Sequence, residues 1–128
     1  MALIDHVDVR VRNLGGVRAF YDALLPAMGY TEIHADEESA GYHRPAETGA
    51  EPFLWLVEDP AHAANGTRIA LGADSRAEVD RLSRIALQNG ASAFEGAQLI
   101  TDYGPNYYAS FFEDPEGNKL EICCRRAP

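Results

Sequence analysis

The stretch Tyr107 to Arg125, YYASFFEDPEGNKLEICCR, decides how the rest of the chain is read. An aromatic and small-residue run, the turn chemistry of Asp114-Pro115-Glu116-Gly117-Asn118, and an alternating run through Cys124 describe two antiparallel strands joined by a tight turn. Asp114 and Pro115 suit the opening positions of that turn, and Gly117 or Asn118 can take the positive φ that closes it. Side chains alternate across a strand, so Lys119, Glu121 and Cys123 share one face while Leu120, Ile122 and Cys124 share the other. A carboxylate thus stands mid-strand among apolar neighbours. Glu121 is either an edge-strand charge turned to water or a group serving a lined cavity, because an unpaired buried carboxylate is costly. With the turn so drawn, Tyr107 shares the Glu121 face, whereas Tyr108 alternates with Phe112 as core.

The beginning of the chain alternates in the same way. In residues 3 to 12, LIDHVDVRVR, one face carries Val7, Val9 and Val11 and the other carries Ile4, His6, Asp8, Arg10 and Arg12. The valine face requires a core. The opposite face, rich in functional groups, looks at water or at a cavity. Asn13 can cap a helix whose apolar side is Val17, Phe20, Tyr21, Leu24, Leu25 and Met28; Pro26 loosens its last turn and Gly29 stops it.

Three short strands are expected next, at about 30–35, 39–44 and 52–58, with residues 45–51 as a loop between the last two. Phe53, Trp55 and Val57 alternate with Leu54, Leu56 and Glu58, which predicts a strand buried on both faces over much of its length. After DPAHAANG (59–66) the pattern restarts. Residues 67–73 form a strand, Ser75 and Glu78 match a capping box, and Val79, Leu82, Ile85 and Ala86 give a helix its apolar side up to Asn89-Gly90. A strand near 92–94, a loop through Tyr103-Gly104-Pro105 and the closing hairpin complete the second half. Sliding the chain by 62 residues lays Val7 on Ile69, Val9 on Leu71, Val17 on Val79 and His6 on Arg68. The simplest architecture is α+β: two βαβββ modules, about 1–59 and about 66–126, forming one domain of curled mixed sheets around a cleft.

Bulk properties narrow the function classes. The 128 residues suffice for one domain with a real core, and the formal charge of −9 argues against nucleic acid or an anionic membrane as partner. No apolar run approaches the length of a membrane span, and Met1-Ala2-Leu3 leads into a strand with no basic segment before an apolar one, so no export signal is expected. Cys123 and Cys124 are neighbours on opposite faces of one strand, poorly placed for a bridge, and read as reduced packing residues of a cytoplasmic protein. His34, His43 and His62 have no motif around them and read as surface or strand-edge residues. Ser-His-Asp order, Gly-rich phosphate loops and CxxC motifs are absent.

The opening IDHVDVRV, the helix VRAFYDALLPAMGY, the second-half opening GTRIALGADSRAEVDRL and the closing YYASFFEDPEGNKLEICC, in this order and spacing, resemble the vicinal-oxygen-chelate superfamily. That group includes glyoxalase I, extradiol dioxygenases, fosfomycin-resistance enzymes and bleomycin-binding proteins. The resemblance implies paired βαβββ modules, a homodimer, and in metal-dependent members a divalent ion held by the first and last strands of each module. Carried over by residue, it places metal ligands on His6 and Glu121, and the same two as acid–base groups of a lyase, isomerase or dioxygenase-like enzyme. The other two ligand positions fall on Arg68 and on Trp55 or a neighbour. A guanidinium cannot donate to a cation, and catalytic sites generally use three or more protein ligands, so the expectation is no cofactor, with a divalent metal as the alternative at an incomplete ligand set. Asp8 and His43 are the available substitutes.

The alternative use of the same residues is a pocket lined by His6, Asp8, Arg10, Trp55, Arg68, Tyr107 and Glu121, with Arg68 as its fixed cation for a small anionic guest. Arg68 could instead pair with Glu121 or Asp8. The function expected from these residues is a small-molecule lyase or isomerase with an incomplete metal site; the alternative is a protein that sequesters a small molecule without chemistry.

Overall fold

The computed structural model describes residues 4–128, which form two compact units divided between Ala63 and Ala64. The first runs β1 (Val7–Val11), α1 (Leu14–Ala27), β2 (Thr31–Ala35), β3 (Ser39–His43), α2 (Pro45–Thr48), β4 (Leu54–Glu58). Its four strands lie in the order β1-β4-β3-β2, with β1 parallel to β4 and the other pairings antiparallel. The expected strand over 3–12 is thus shorter, starting at Val7; Leu3 lies outside the described residues.

The register explains which face meets the helix. Val7, Leu54, Tyr42 and Glu32 are lateral partners, and the Tyr42 hydroxyl donates to Asp22 Oδ1 on α1 at 2.8 Å. Val9, Val11, Leu54, Leu56, Ala40 and Tyr42 on this face are buried together with Val17, Phe20, Tyr21, Leu24 and Leu25 of α1. Burial of a Val-, Leu- or Phe-sized side chain contributes about 1.5–3 kcal/mol, so this layer carries most of the unit's stability. The helix is fixed at both ends. Asn13 Oδ1 accepts from the Gly16 amide, and Glu58 Oε2 at the end of β4 accepts from the Leu14 amide at 2.9 Å, tying sheet to helix. Pro26 lies in the last turn, the Met28 amide reaches back to Leu24 and Leu25, and Gly29 takes φ 88°.

The second unit repeats the plan: β5 (Arg68–Gly72), α3 (Arg76–Gln88), β6 (Ser92–Leu99), β7 (Tyr108–Glu113), β8 (Lys119–Cys124). Its strand order, β5-β8-β7-β6, with β5 parallel to β8, is the first unit's order again. Ile69, Leu71, Leu120, Ile122, Phe112 and Tyr108 belong to one face by register, and the Tyr108 hydroxyl donates to Asp80 of α3 at 2.7 Å, so this face is the helix side. In the closing turn Asp114, fully buried, accepts from the amides of Glu116 and Asn118 and from the Asn118 side chain, while Gly117 takes φ 89°.

Four local expectations change. The loop over 45–51 contains the short helix α2, opened by Pro45, whose fixed φ suits a first helical position. The strand near 92–94 runs on to Leu99, and the loop after it holds a 3-10 turn at Thr101–Tyr103. Ser75 accepts from the Glu78 amide, but the Glu78 carboxylate turns to Arg81 (3.0 and 2.7 Å), so only half of the capping box forms. In β4 only Leu54 and Leu56 are fully buried, whereas Trp55 and Val57 are partly open.

Candidate functional site

The functional face of the second sheet is the one turned away from α3. Strand β8 is an interior strand, hydrogen-bonded to β5 on one side and β7 on the other, so the edge-strand reading of Glu121 falls. Glu121 is only 6% exposed. Its lateral neighbours are Ala70 on β5 and Phe111 on β7. The Tyr107 hydroxyl donates to Glu121 Oε2, which supplies the partner that a buried carboxylate needs. Burial first, then the hydrogen bond to Glu121 and the nearby Cys123 thiol, push the Tyr107 phenol well above its ordinary range, so it stays protonated as the donor.

Arg68 begins β5 opposite Lys119, on the same face. Its guanidinium donates to the Leu120 carbonyl at 2.9 Å and lies 5.0 Å over the Phe111 ring. Within the second unit's described residues it makes no ion pair with Glu121, which corrects the expectation that these two charges satisfy each other. The residue is exposed, so its remaining N–H groups face solvent. Beside Glu121, Ala70 and Gly72 on β5 are exposed and carry at most one side-chain carbon, leaving that flank of the strand uncovered.

On the first sheet, His6, Asp8 and Arg10 emerge on the face opposite the buried valines, each about half exposed. His6 Nδ1 meets Asp5 Oδ1 at 2.7 Å, and Nε2 is 3.9 Å from Asp8. The hydrogen bond to Asp5 raises the His6 pKa; desolvation opposes it, and the charges of Asp8 and then Asp5 add to the rise. Arg10 pairs with Asp59 at 3.5 Å. Trp55, laterally between Asp8 and Gly41, lies on the bare Gly41 backbone: a Cβ there would come within 3.0 Å of the ring, and the His34 ring is 5.2 Å away. His34 Nε2 contacts both Asp36 and Ser39 (3.0 and 3.2 Å). Because both use the same ring nitrogen, the trio is not a relay that could activate the serine.

Of the predicted site residues, the structure joins Tyr107 to Glu121, sets Arg68 on their sheet face, and aligns His6, Asp8, Arg10 and Trp55 on one face of the first sheet. Three participants escaped the sequence reading. Asp5 orients His6, Phe111 supports Arg68, and Arg125 stacks 4.6 Å over Tyr107. Phe111 could have been found from the hairpin register, since it alternates onto the Glu121 face; Asp5 falls on the valine side of the opening alternation and Arg125 lies past the closing one, so neither gave such a signal.

Two sheets of identical strand order, each built as βαβββ, define the class. The glyoxalase/bleomycin resistance protein/dioxygenase superfamily profile matches residues 3–122, and the chain belongs to that family. A glyoxalase/bleomycin resistance protein from Albidiferax ferrireducens T118 is similar over 98% of this chain and 100% of its own (25% identity, TM-score 0.79). A glyoxalase-related enzyme from Fulvimarina pelagi (15% identity, TM-score 0.72, 97% and 88% covered) shares the fold. So does the genomically encoded fosfomycin resistance protein FosX of Listeria monocytogenes (15% identity, TM-score 0.71, 97% and 93% covered). A search of curated protein sequences finds no match.

Neither the Trp55 indole, pressed on Gly41, nor the Arg68 guanidinium, bonded to the Leu120 carbonyl, has a lone pair to give to a cation.

Proposed function

We propose that the protein is a metal-independent enzyme of the lyase or isomerase type that acts on a small oxygenated anion. Glu121 is the proton-transfer group, Tyr107 holds it in place and Arg68 anchors the anion, all on one sheet face of the second unit. What supports this reading above all is the hydroxyl of Tyr107 donated to a buried Glu121, on the face that presents the unpaired guanidinium of Arg68. A carboxylate held this way takes a proton from carbon next to a carbonyl or carboxylate, then returns it to a neighbouring atom in an isomerisation or releases it with the leaving group in an elimination. Such proton transfer contributes about 10²–10⁴-fold. The arginine fork neutralises charge that builds on the substrate's oxygens, the work a metal does in other members.

A second reading, sequestration without chemistry, draws support from Trp55: a flat indole on a glycine floor is a stacking platform for a planar guest. The exposed edge strand β2 with Ile33, and Leu99 on edge strand β6, suit a homodimer, and two free cysteines suit the cytoplasm.

The experiment is a thermal-shift and NMR screen of small carboxylates, phosphates and flat aromatics on untagged protein. His6→Ala and Glu121→Gln then follow for each hit. Loss of turnover in Glu121→Gln is expected. Hits that bind unchanged in both variants and are never turned over would replace the enzyme reading with sequestration. Stoichiometric metal by elemental analysis, lost in both variants, would overturn metal independence.

A further inference from the structure

The first unit holds a cavity of about 450 Å³ that the reading above leaves unused. It lies where β1 and β4 begin, against Tyr30 and the end of α2. Its apolar wall is Ile4, Tyr30, Pro52 and Phe53; its polar groups are Asp5, Glu47 and Glu51, with Thr48 beside them. A volume of this size, mostly apolar with a few polar groups, matches a small-molecule pocket.

The charges select the guest. Among the described residues no lysine or arginine lines the cavity. Glu47 is 3.4 Å from Arg44 Nη1, and Asp5 accepts from His6. Glu51 has no ion-pair partner among the described residues. Arg44 and His6 offset part of the charge of Glu47 and Asp5, and Arg44 also reaches the Tyr30 hydroxyl, so an anion is opposed and a cation drawn chiefly by Glu51. The carboxylates do not draw together as a coordination sphere: among the described residues no three His, Cys, Asp or Glu side chains cluster for a metal ion. The polar groups stand apart, around apolar surface, and Tyr30 and Phe53 offer ring surface to which a cation is also attracted.

We infer that this cavity binds a small organic ammonium carrying an apolar arm, its charge beside Glu47 and Glu51 and its arm against Tyr30, Pro52 and Phe53. The site lies within one unit and differs in charge preference from the Arg68 face, so it does not depend on the proposed activity.

Benzylammonium and phenylacetate, close in size and opposite in charge, are the probes, with benzyl alcohol as the neutral control. Titration of the full-length protein followed by amide NMR should show saturable shifts for benzylammonium around Tyr30, Thr48 and Phe53, and none of comparable affinity for the other two. Glu47→Gln and Glu51→Gln should each weaken binding about three-fold, in line with the modest value of exposed charge pairs, and the double variant about ten-fold. Glu121→Gln should leave this binding unchanged, which separates the pocket from the site in the second sheet. Circular dichroism confirms that the variants fold; Tyr30→Phe, which keeps the ring, serves as the second probe of the wall and should retain binding. Equal binding of all three probes, binding of none, or an unaltered affinity in the double variant would overturn the inference.

Discussion

Replacing Tyr107 by phenylalanine removes one hydroxyl and leaves the ring under Arg125 (4.6 Å) and edge-on to Tyr103 (5.5 Å). Packing is therefore preserved, and the change isolates the donor to Glu121. A hydrogen bond to a charged group contributes about 1.5–3 kcal/mol, and the carboxylate, 6% exposed, cannot recover it freely from water. The expected loss is about 2 kcal/mol, which for a chain of this size lowers Tm by roughly 6–10 °C. Urea denaturation reads the first figure and calorimetry the second. A cycle with Glu121→Leu should give a coupling energy of about 1.5 kcal/mol or more, because each single change removes the same bond. The wild-type phenol is held above its ordinary 10 by burial, Glu121 and Cys123. Its contribution is therefore full below about pH 10 and lost as pH rises through the folded value, and Tyr107→Phe should flatten that alkaline decline. A loss below about 0.5 kcal/mol, or a coupling near zero, would show that Glu121 does not rely on Tyr107.

Further outcomes follow from other contacts. Gly41→Ala places a Cβ 3.0–3.1 Å from three Trp55 ring atoms, so the indole must swing away; Trp55 is the chain's single tryptophan, and its emission maximum should move, an unchanged spectrum refuting the packing. Asp114→Ala leaves the amides of Glu116 and Asn118 without their buried acceptor and should cost about 2–4 kcal/mol in urea denaturation, with less than 1 kcal/mol counting against this turn. His6 should titrate above its ordinary 6.5 by NMR and fall back in Asp5→Asn; its raised folded pKa gives a contribution present below pH 6.5 and lost as pH rises through the folded value.

Alternation and helical periodicity act over a few residues, so they are legible in the sequence. The valine face of β1, the apolar side of α1, the Asn13 cap and the faces of the closing hairpin all follow from local chemistry, and the offset of 62 residues carried the repeat. Hairpin register also placed Tyr107 with Glu121, since a tight turn leaves few ways to pair two strands. The extension of β6 to Leu99 was hidden, because an exposed strand interrupted by bulges shows no clean alternation. The half-made capping box was hidden as well: Glu78 had two partners within reach, and Arg81 won.

What the sequence by itself determined was the pair of modules, the faces of their strands and the residue types on each face. Only the tertiary structure decided that β8 is interior rather than an edge, which turns Glu121 from a solvated charge into a buried one that needs Tyr107. It alone sent Arg68 to a backbone carbonyl and an aromatic ring, and Trp55 onto the floor at Gly41. The physical reason is that burial and partner choice depend on which strands lie side by side, and parallel neighbours such as β5 and β8 are joined by tens of intervening residues that carry no local signal of the pairing.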